Sequence, residues 1–163
     1  MTAAAPTPHP ARRTIATLAL VFGLGAMIVE AVLAASGPAT ANHDIAWTLY
    51  AGGVLLDGGV FGRDLIDTNP PLIYWITALV VALSRALGVH PLQLWAAGTG
   101  LAIAVGAFWL RRHLQRVLPD SGLPEALALG TAVLLLSGSG FDVGQRDHLV
   151  NALLIPYLAV AVA

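Results

Sequence analysis

The chain has 163 residues, 57% of them hydrophobic and only 10% charged, and its net charge is −1. A soluble domain carries roughly 25% charged residues, so this composition and a mean hydropathy of +0.78 indicate a membrane protein. Lysine is absent from the sequence, and the near-neutral charge gives no electrostatic support for binding nucleic acid. Cysteine is also absent, which excludes disulfides, thiolate metal sites and a cysteine nucleophile.

The amino-terminal part predicts a tail followed by a membrane span. Residues 1–14 are rich in alanine, proline and threonine and are expected to form a disordered cytoplasmic tail. The apolar run 15–35 has about the ~20 residues that a transmembrane helix needs. Arg12 and Arg13 precede it, so the amino terminus is predicted to lie in the cytoplasm. Glu30, near the outer end, is expected either to reach the water boundary or to face a polar cavity.

Three later apolar runs are predicted to be spans, at about 91–110, 123–138 and 148–163. The run at the carboxyl end has no polar flank, which predicts that the chain is the amino-terminal part of a longer protein or a truncated one. A basic cluster after the first of these spans is predicted to be cytoplasmic by the positive-inside rule. Its members are Arg111, Arg112, His113 and Arg116.

The run at 71–87 is predicted to be an interfacial or re-entrant helix. It begins at a proline pair, contains Arg85 and is short for the ~30 Å hydrocarbon core. An odd number of crossings must connect the outside loop 36–70 to the inside cluster at 111–116, so one intervening run does not cross. The alternative, in which 71–87 crosses, would place the basic cluster outside.

The first outside loop contains a second predicted interfacial helix, at about 43–57. Trp47, Tyr50 and Val54 recur at helical spacing, and aromatic residues on such a helix are typical anchors at the headgroup level. Asp44 would lie at the water boundary. Its spacing alone favours a role as the helix N-cap over a role in chemistry.

Charged residues gather in two places that are predicted to lie outside. Arg63, Asp64 and Asp67 precede the Pro70-Pro71 pair, and Arg146-Asp147-His148 precede the last apolar run. Charge beside hydrocarbon is usually a topology signal or a functional site. The arrangement of the first group favours a site, whereas the second group is equally consistent with an ordinary charged flank.

A divalent cation is a further possibility that the residues leave open. His43-Asp44 and Asp147-His148 could supply nitrogen and oxygen ligands, although no strict spacing supports such a site. Ordinary hydrogen bonds between the imidazoles and the loop carboxylates are the simpler alternative.

The motifs of both loops resemble membrane glycosyltransferases of the GT-C type. In the first loop the similar motifs are Asp44 followed by aromatic residues, Leu55-Leu56-Asp57-Gly58, Gly62-Arg63-Asp64, and Asp67-Thr68-Asn69-Pro70-Pro71-Leu72-Ile73-Tyr74-Trp75. They are similar to the dolichyl-phosphate-mannose protein mannosyltransferases and the lipid A aminoarabinose transferases. Gln145-Arg146-Asp147-His148-Leu149 is similar to the second external loop of that fold. The chain departs from the family pattern at Ile45, Phe61-Gly62 and Asn69, where the family has an acid, a tyrosine and a lysine.

The resemblance implies an all-α polytopic transmembrane bundle, with interfacial helices in the first external loop, in a bacterial plasma membrane. The implied function is transfer of a sugar from a polyprenyl-phosphate donor to a protein, lipid or glycan acceptor. Asp44 would be the catalytic base and Asp147 a second catalytic carboxylate. Arg63 and Arg146 would neutralise the leaving phosphate, and Asp64, Asp67 and His148 would bind substrate.

Two other classes of function compete with this interpretation. A transporter or lipid-flippase fragment would place charges within the spans along a path. Here Glu125 lies at the cytoplasmic edge of a predicted span, only Glu30 lies deeper within one, and most other charges gather in loops. A non-catalytic membrane scaffold is the third possibility.

Overall fold

A computed structural model describes residues 42–119, 121–137 and 146–162, with isolated positions between 14 and 21. Over these ranges the secondary structure is helical, without a strand, and a single isolated bridge joins Phe61 and Leu65. The all-α class is therefore confirmed. The helices are α1 (His43–Leu56), α2 (Leu72–Leu87), α3 (Pro91–Val117), α4 (Leu123–Ser137) and α5 (Arg146–Val162). The predicted tail, the predicted span 15–35 and Glu30 lie outside the described residues, apart from those isolated positions.

Helix α3 begins where the sequence predicts but continues beyond the predicted end of its apolar run. His90 caps it by accepting a hydrogen bond from the Leu92 backbone N–H, and Pro91 occupies the first turn, where a missing N–H costs nothing. The helix extends through the basic cluster to Val117, because arginine, leucine and glutamine are good helix formers. The helix is therefore longer than the predicted membrane span 91–110, whose bounds stay a prediction.

Helices α1 and α2 pack side by side in the same direction. Gly52 of α1 lies against the backbone of Thr77 and Ala78, and Asp57, at the end of α1, pairs with Arg85 near the end of α2. The Thr77 hydroxyl donates across the interface to the Thr48 carbonyl at 2.7 Å. The two helix amino termini consequently lie at one end of the pair.

The segment between these helices returns along their side and packs onto them. Helix α1 ends at Leu56, and Gly58, two residues later, adopts φ +90°, a conformation that glycine adopts readily. Leu65 is buried with Ala51, Leu55 and Tyr74, and the ring of Phe61 lies 5.6 Å from that of Tyr74. These contacts hold the segment that carries Arg63, Asp64 and Asp67 against the helix pair.

Helices α3, α4 and α5 form a second group. A tight turn joins α3 to α4, and Glu125 in the first turn of α4 accepts a 2.7 Å hydrogen bond from Gln115 near the end of α3, so the two helices are antiparallel. Gly106 of α3 lies directly against the backbone of Ala152 in α5. Without a side chain at residue 106, the two helices approach closely, as small residues allow between membrane helices.

The apolar surface of the molecule is extensive. Helix α3, with 27 residues, is the one described helix that is long and apolar enough to cross a bilayer. Helix α2 buries one face against α1, while its other face is an exposed apolar stripe. The stripe consists of Leu72, Trp75, Ile76, Leu79, Leu83 and Leu87. An exposed stripe of this kind marks a surface for lipid or for other helices.

Candidate site at the helix amino termini

Asp44 lies in the first turn of α1 but is not its N-cap. The side chain of Asn42 caps the helix by accepting a 2.9 Å hydrogen bond from the Asp44 backbone N–H. The N-cap role predicted for Asp44 is therefore wrong, because asparagine caps as well as aspartate and lies two residues earlier. The Asp44 carboxylate is 60% exposed and lies 3.0 Å from His43 Nε2. It is thus accessible to a substrate at the positive end of the helix dipole.

Asp67 joins the returning segment to α1. Its Oδ2 accepts a 2.5 Å hydrogen bond from the Trp47 indole N–H, one turn after Asp44. Its Oδ1 accepts from both the backbone and the side-chain amide of Asn69, at 3.1 and 3.2 Å. Both oxygens of this carboxylate are therefore bound by the protein itself.

These donors hold Asp67 in its charged form. The pKa of Asp67 lies far below its usual range because the nearby Tyr74 hydroxyl and then the Trp47 indole stabilise the carboxylate, with the Asn69 and Thr68 amides adding to the effect. The Tyr74 hydroxyl is buried and falls short of full hydrogen-bond geometry with any described group. The Trp47 indole N–H, 2.5 Å from Asp67 Oδ2, is therefore the side-chain donor with full hydrogen-bond geometry from outside the returning segment.

The other charges of the first loop form exposed ion pairs. Arg63 contacts Asp64 at 2.7 Å, and 71% of the Arg63 side chain is exposed. Asp64 also accepts from the Val60 backbone N–H, and these contacts lower the pKa of Asp64. Asp57 binds Arg85 through two hydrogen bonds of 2.6 and 2.9 Å, which lower the pKa of Asp57.

Helix α5 contacts a core cluster that includes residues of α1. This helix begins at Arg146, two residues earlier than the predicted span, so Asp147 lies in its first turn. Leu149 packs against a core cluster of Ile45, Leu49, Val81 and Trp95. Leu149 follows Asp147 by two residues, and the cluster that it contacts contains Ile45, the residue after Asp44. The loop 138–145 and the side chains of Arg146 and His148 lie outside the described residues.

The predicted metal ligands are only partly described. His43 and Asp44 contact each other. Among the described side chains, no group of three or more histidines or carboxylates is placed to hold a metal ion. Because the side chain of His148 is not among them, the divalent-cation site stays a prediction.

Two features of this site were not predicted from the sequence. Trp47 was assigned only as an interfacial anchor, although its indole N–H binds Asp67. Asn69 was noted only as a departure from a motif, although it donates twice to the same carboxylate. The Asp67-x-Asn69 spacing could have indicated the second contact, because aspartate commonly accepts from the backbone two residues ahead. No local signal indicates the first contact, which joins residues twenty positions apart.

Comparison with known proteins found no significantly similar protein. No family model matches the sequence, and searches of curated proteins and of solved structures found no significant match. The resemblance of the loop motifs to GT-C glycosyltransferases therefore remains one of short motifs.

Proposed function

We propose that the chain is part of a multi-pass membrane glycosyltransferase that transfers a sugar from a polyprenyl-phosphate donor to an acceptor on the external face. The observation that carries this proposal is the packing of Leu149 against the cluster containing Ile45 and Trp95. Leu149 is two residues after Asp147, and Ile45 is the residue after Asp44, so this packing supports a position of the two carboxylates near each other. Carboxylates from both loops would then serve one site.

The arrangement of α1 and α2 supports a place at the membrane surface for the site. The apolar stripe of α2 faces away from α1, which suits a helix lying in the interface with α1 on its aqueous side. The irregular segment between α1 and α2 carries exposed charges and backbone groups that would be costly within hydrocarbon. Both helices therefore fit an external position, as the topology prediction requires, and α3 then crosses the bilayer.

In the proposed reaction an acceptor hydroxyl or amine attacks the anomeric carbon of the donor sugar. The bond from that carbon to the phosphate oxygen breaks, and polyprenyl phosphate leaves. Asp44, exposed at the head of α1, would remove the acceptor proton as general base, while Asp147 orients the acceptor. Arg63 and Arg146 would offset the charge of the leaving phosphate, for which guanidinium is well suited. Asp64 and His148 remain proposed substrate contacts.

The test is an assay for polyprenyl phosphate released from labelled lipid-linked sugars by the full-length protein in membranes. Asp44→Asn should abolish release without reducing the amount of inserted protein. Asp57→Asn is the matched control, because Asp57 is bound to Arg85 at the opposite end of α1. Release at the normal rate by Asp44→Asn would exclude Asp44 from the chemistry. An inactive wild-type protein, tested with a broad donor panel, would contradict the proposed function.

A further inference from the structure

Helix α1 presents two exposed aromatic rings beside the candidate carboxylates. Trp47 is 39% exposed and Tyr50 is 63% exposed, and their ring centres lie 5.6 Å apart with the planes tilted by 32°. Asp44, Trp47 and Tyr50 follow one another at intervals of three residues, which places them along one ridge of the helix. The two rings and the carboxylate therefore form a continuous exposed surface.

The polar edge of Trp47 is already occupied within the protein. An interfacial tryptophan usually directs its indole N–H to headgroups or water, whereas the N–H of Trp47 is bound by Asp67. Asp67 is in turn fixed by Asn69. The indole is consequently held in a defined orientation, and what it offers to a ligand is its face rather than its N–H.

The surroundings of this pair differ from those of the other exposed tryptophans. Trp75 lies on the apolar stripe of α2, and Trp109 lies near Phe108 and Val105 on the exposed apolar part of α3. Both positions suit contact with lipid. Trp47, in contrast, has the exposed carboxylate of Asp44 one turn away. An aromatic face beside carboxylate acceptors suits a ligand with apolar C–H faces and hydroxyl edges.

We propose that Trp47 and Tyr50 form a platform that binds a sugar ring. The ring C–H groups would lie on the electron-rich faces of the aromatic rings, and sugar hydroxyls would donate to the carboxylate oxygens of Asp44. Asp67 is then a positioning residue that acts through Trp47. This proposal rests on the proposed function and names the surface that holds the sugar being transferred or accepted.

Saturation-transfer NMR on the full-length protein in nanodiscs tests the platform, with methyl pyranosides of mannose, glucose and arabinose as probes. The wild type should transfer saturation to at least one glycoside, and Trp47→Ala should weaken its binding by about tenfold or more. Trp47→Phe, which keeps a ring face, and Asp67→Asn, which weakens the hydrogen bond that orients the indole, should each weaken binding several-fold. Trp109→Ala is the matched control and should leave binding unchanged.

Unchanged affinity in both Trp47→Ala and Tyr50→Ala would overturn the platform, as would the absence of saturation transfer to any glycoside from the folded wild type. The release assay on the same samples separates the two proposals. Normal transfer with an unchanged KM in Trp47→Ala would remove the platform and leave the transferase intact. Glycoside binding that depends on Trp47, in a protein without transfer, would keep the platform and remove the transferase.

Discussion

Among single residues, Asp67 makes the hydrogen bonds that were least expected from the sequence. It was predicted to bind substrate, yet both of its oxygens accept hydrogen bonds from Trp47 and Asn69. A charged hydrogen bond contributes about 1.5–3 kcal/mol when well formed, and partial exposure reduces that contribution. Asp67 therefore stabilises the attachment of the returning segment to α1. Its role toward substrate stays a prediction.

Replacing Asp67 with asparagine should lower the thermal unfolding temperature, because the amide lacks the charge that strengthens the bond to Trp47. The expected loss is on the order of 1 kcal/mol, measured by scanning fluorimetry in detergent. Arg63→Gln is the control, since an exposed ion pair contributes little. Equal effects of both substitutions would contradict the structural role of Asp67.

The same carboxylate predicts a dependence of stability on pH. Its folded pKa is lowered, so its contribution is fully present above the ordinary carboxyl pKa of about 4 and is lost as the pH falls toward the folded value. The difference in unfolding temperature between wild type and Asp67→Asn should therefore be largest near neutral pH. It should shrink progressively below about pH 4. A difference that stays constant through that acid range would show that charge is not what stabilises the contact.

At the scale of elements, the sequence predicts where helices form better than how they pack. Aromatic spacing and the proline pair locate α1 and α2 to within about a residue, because capping and periodicity are local properties. Their parallel packing depends on the close approach of Gly52 to Thr77 and Ala78. The N-cap was misassigned because Asn42 and Asp44 are equivalent in propensity, and only the backbone path distinguishes them.

Two neighbouring glycines of α1 should respond oppositely to alanine. A Cβ at Gly52 would lie 2.5–2.6 Å from backbone and side-chain atoms of Thr77 and Ala78, whereas at Gly53 the nearest atom, on Val81, is 4.0 Å away. Gly52→Ala should destabilise by roughly 1–3 kcal/mol or more, as overpacking does. Gly53→Ala should be neutral or stabilising by up to about 1 kcal/mol from helix propensity. Comparable unfolding temperatures for the two variants would contradict the packing of α1 on α2.

The contact between α3 and α5 allows a similar comparison. A Cβ at Gly106 would collide with the carbonyl of Ala152, whereas Gly98 of the same helix has open space around it. Gly106→Ala should therefore lower the unfolding temperature measurably, and Gly98→Ala should not. The spacing of Gly98, Ala102 and Gly106 is a small-residue pattern that could have indicated this contact, although only the structure shows that Gly106 makes it. A stable Gly106→Ala protein would mean that α5 does not pack there.

For the whole molecule, a shared site requires that both loops lie on the same side of the bilayer. Composition and charge predict the crossings because burying charged groups in lipid is costly. They do not predict contacts between segments that are distant in sequence, such as the packing of Leu149 against the cluster that contains Ile45 and Trp95. That packing is a tertiary contact between α5 and a cluster that includes residues of α1. The loops of the candidate site could thus be located from sequence, whereas the contact of Leu149 with this cluster could not.

The most direct test of a shared site is the accessibility of single introduced cysteines to a membrane-impermeant maleimide in intact cells. Because the sequence contains no native cysteine, only the introduced residue of this protein can be labelled. Suitable positions are Ile66, which is 81% exposed beside Asp67, Gly140 in the second loop, and Ser121 between α3 and α4. The account predicts labelling at positions 66 and 140 from outside, and at 121 only after permeabilisation. External labelling at 66 and 121 but not at 140 would place Asp44 and Asp147 on opposite sides of the membrane and contradict a shared site.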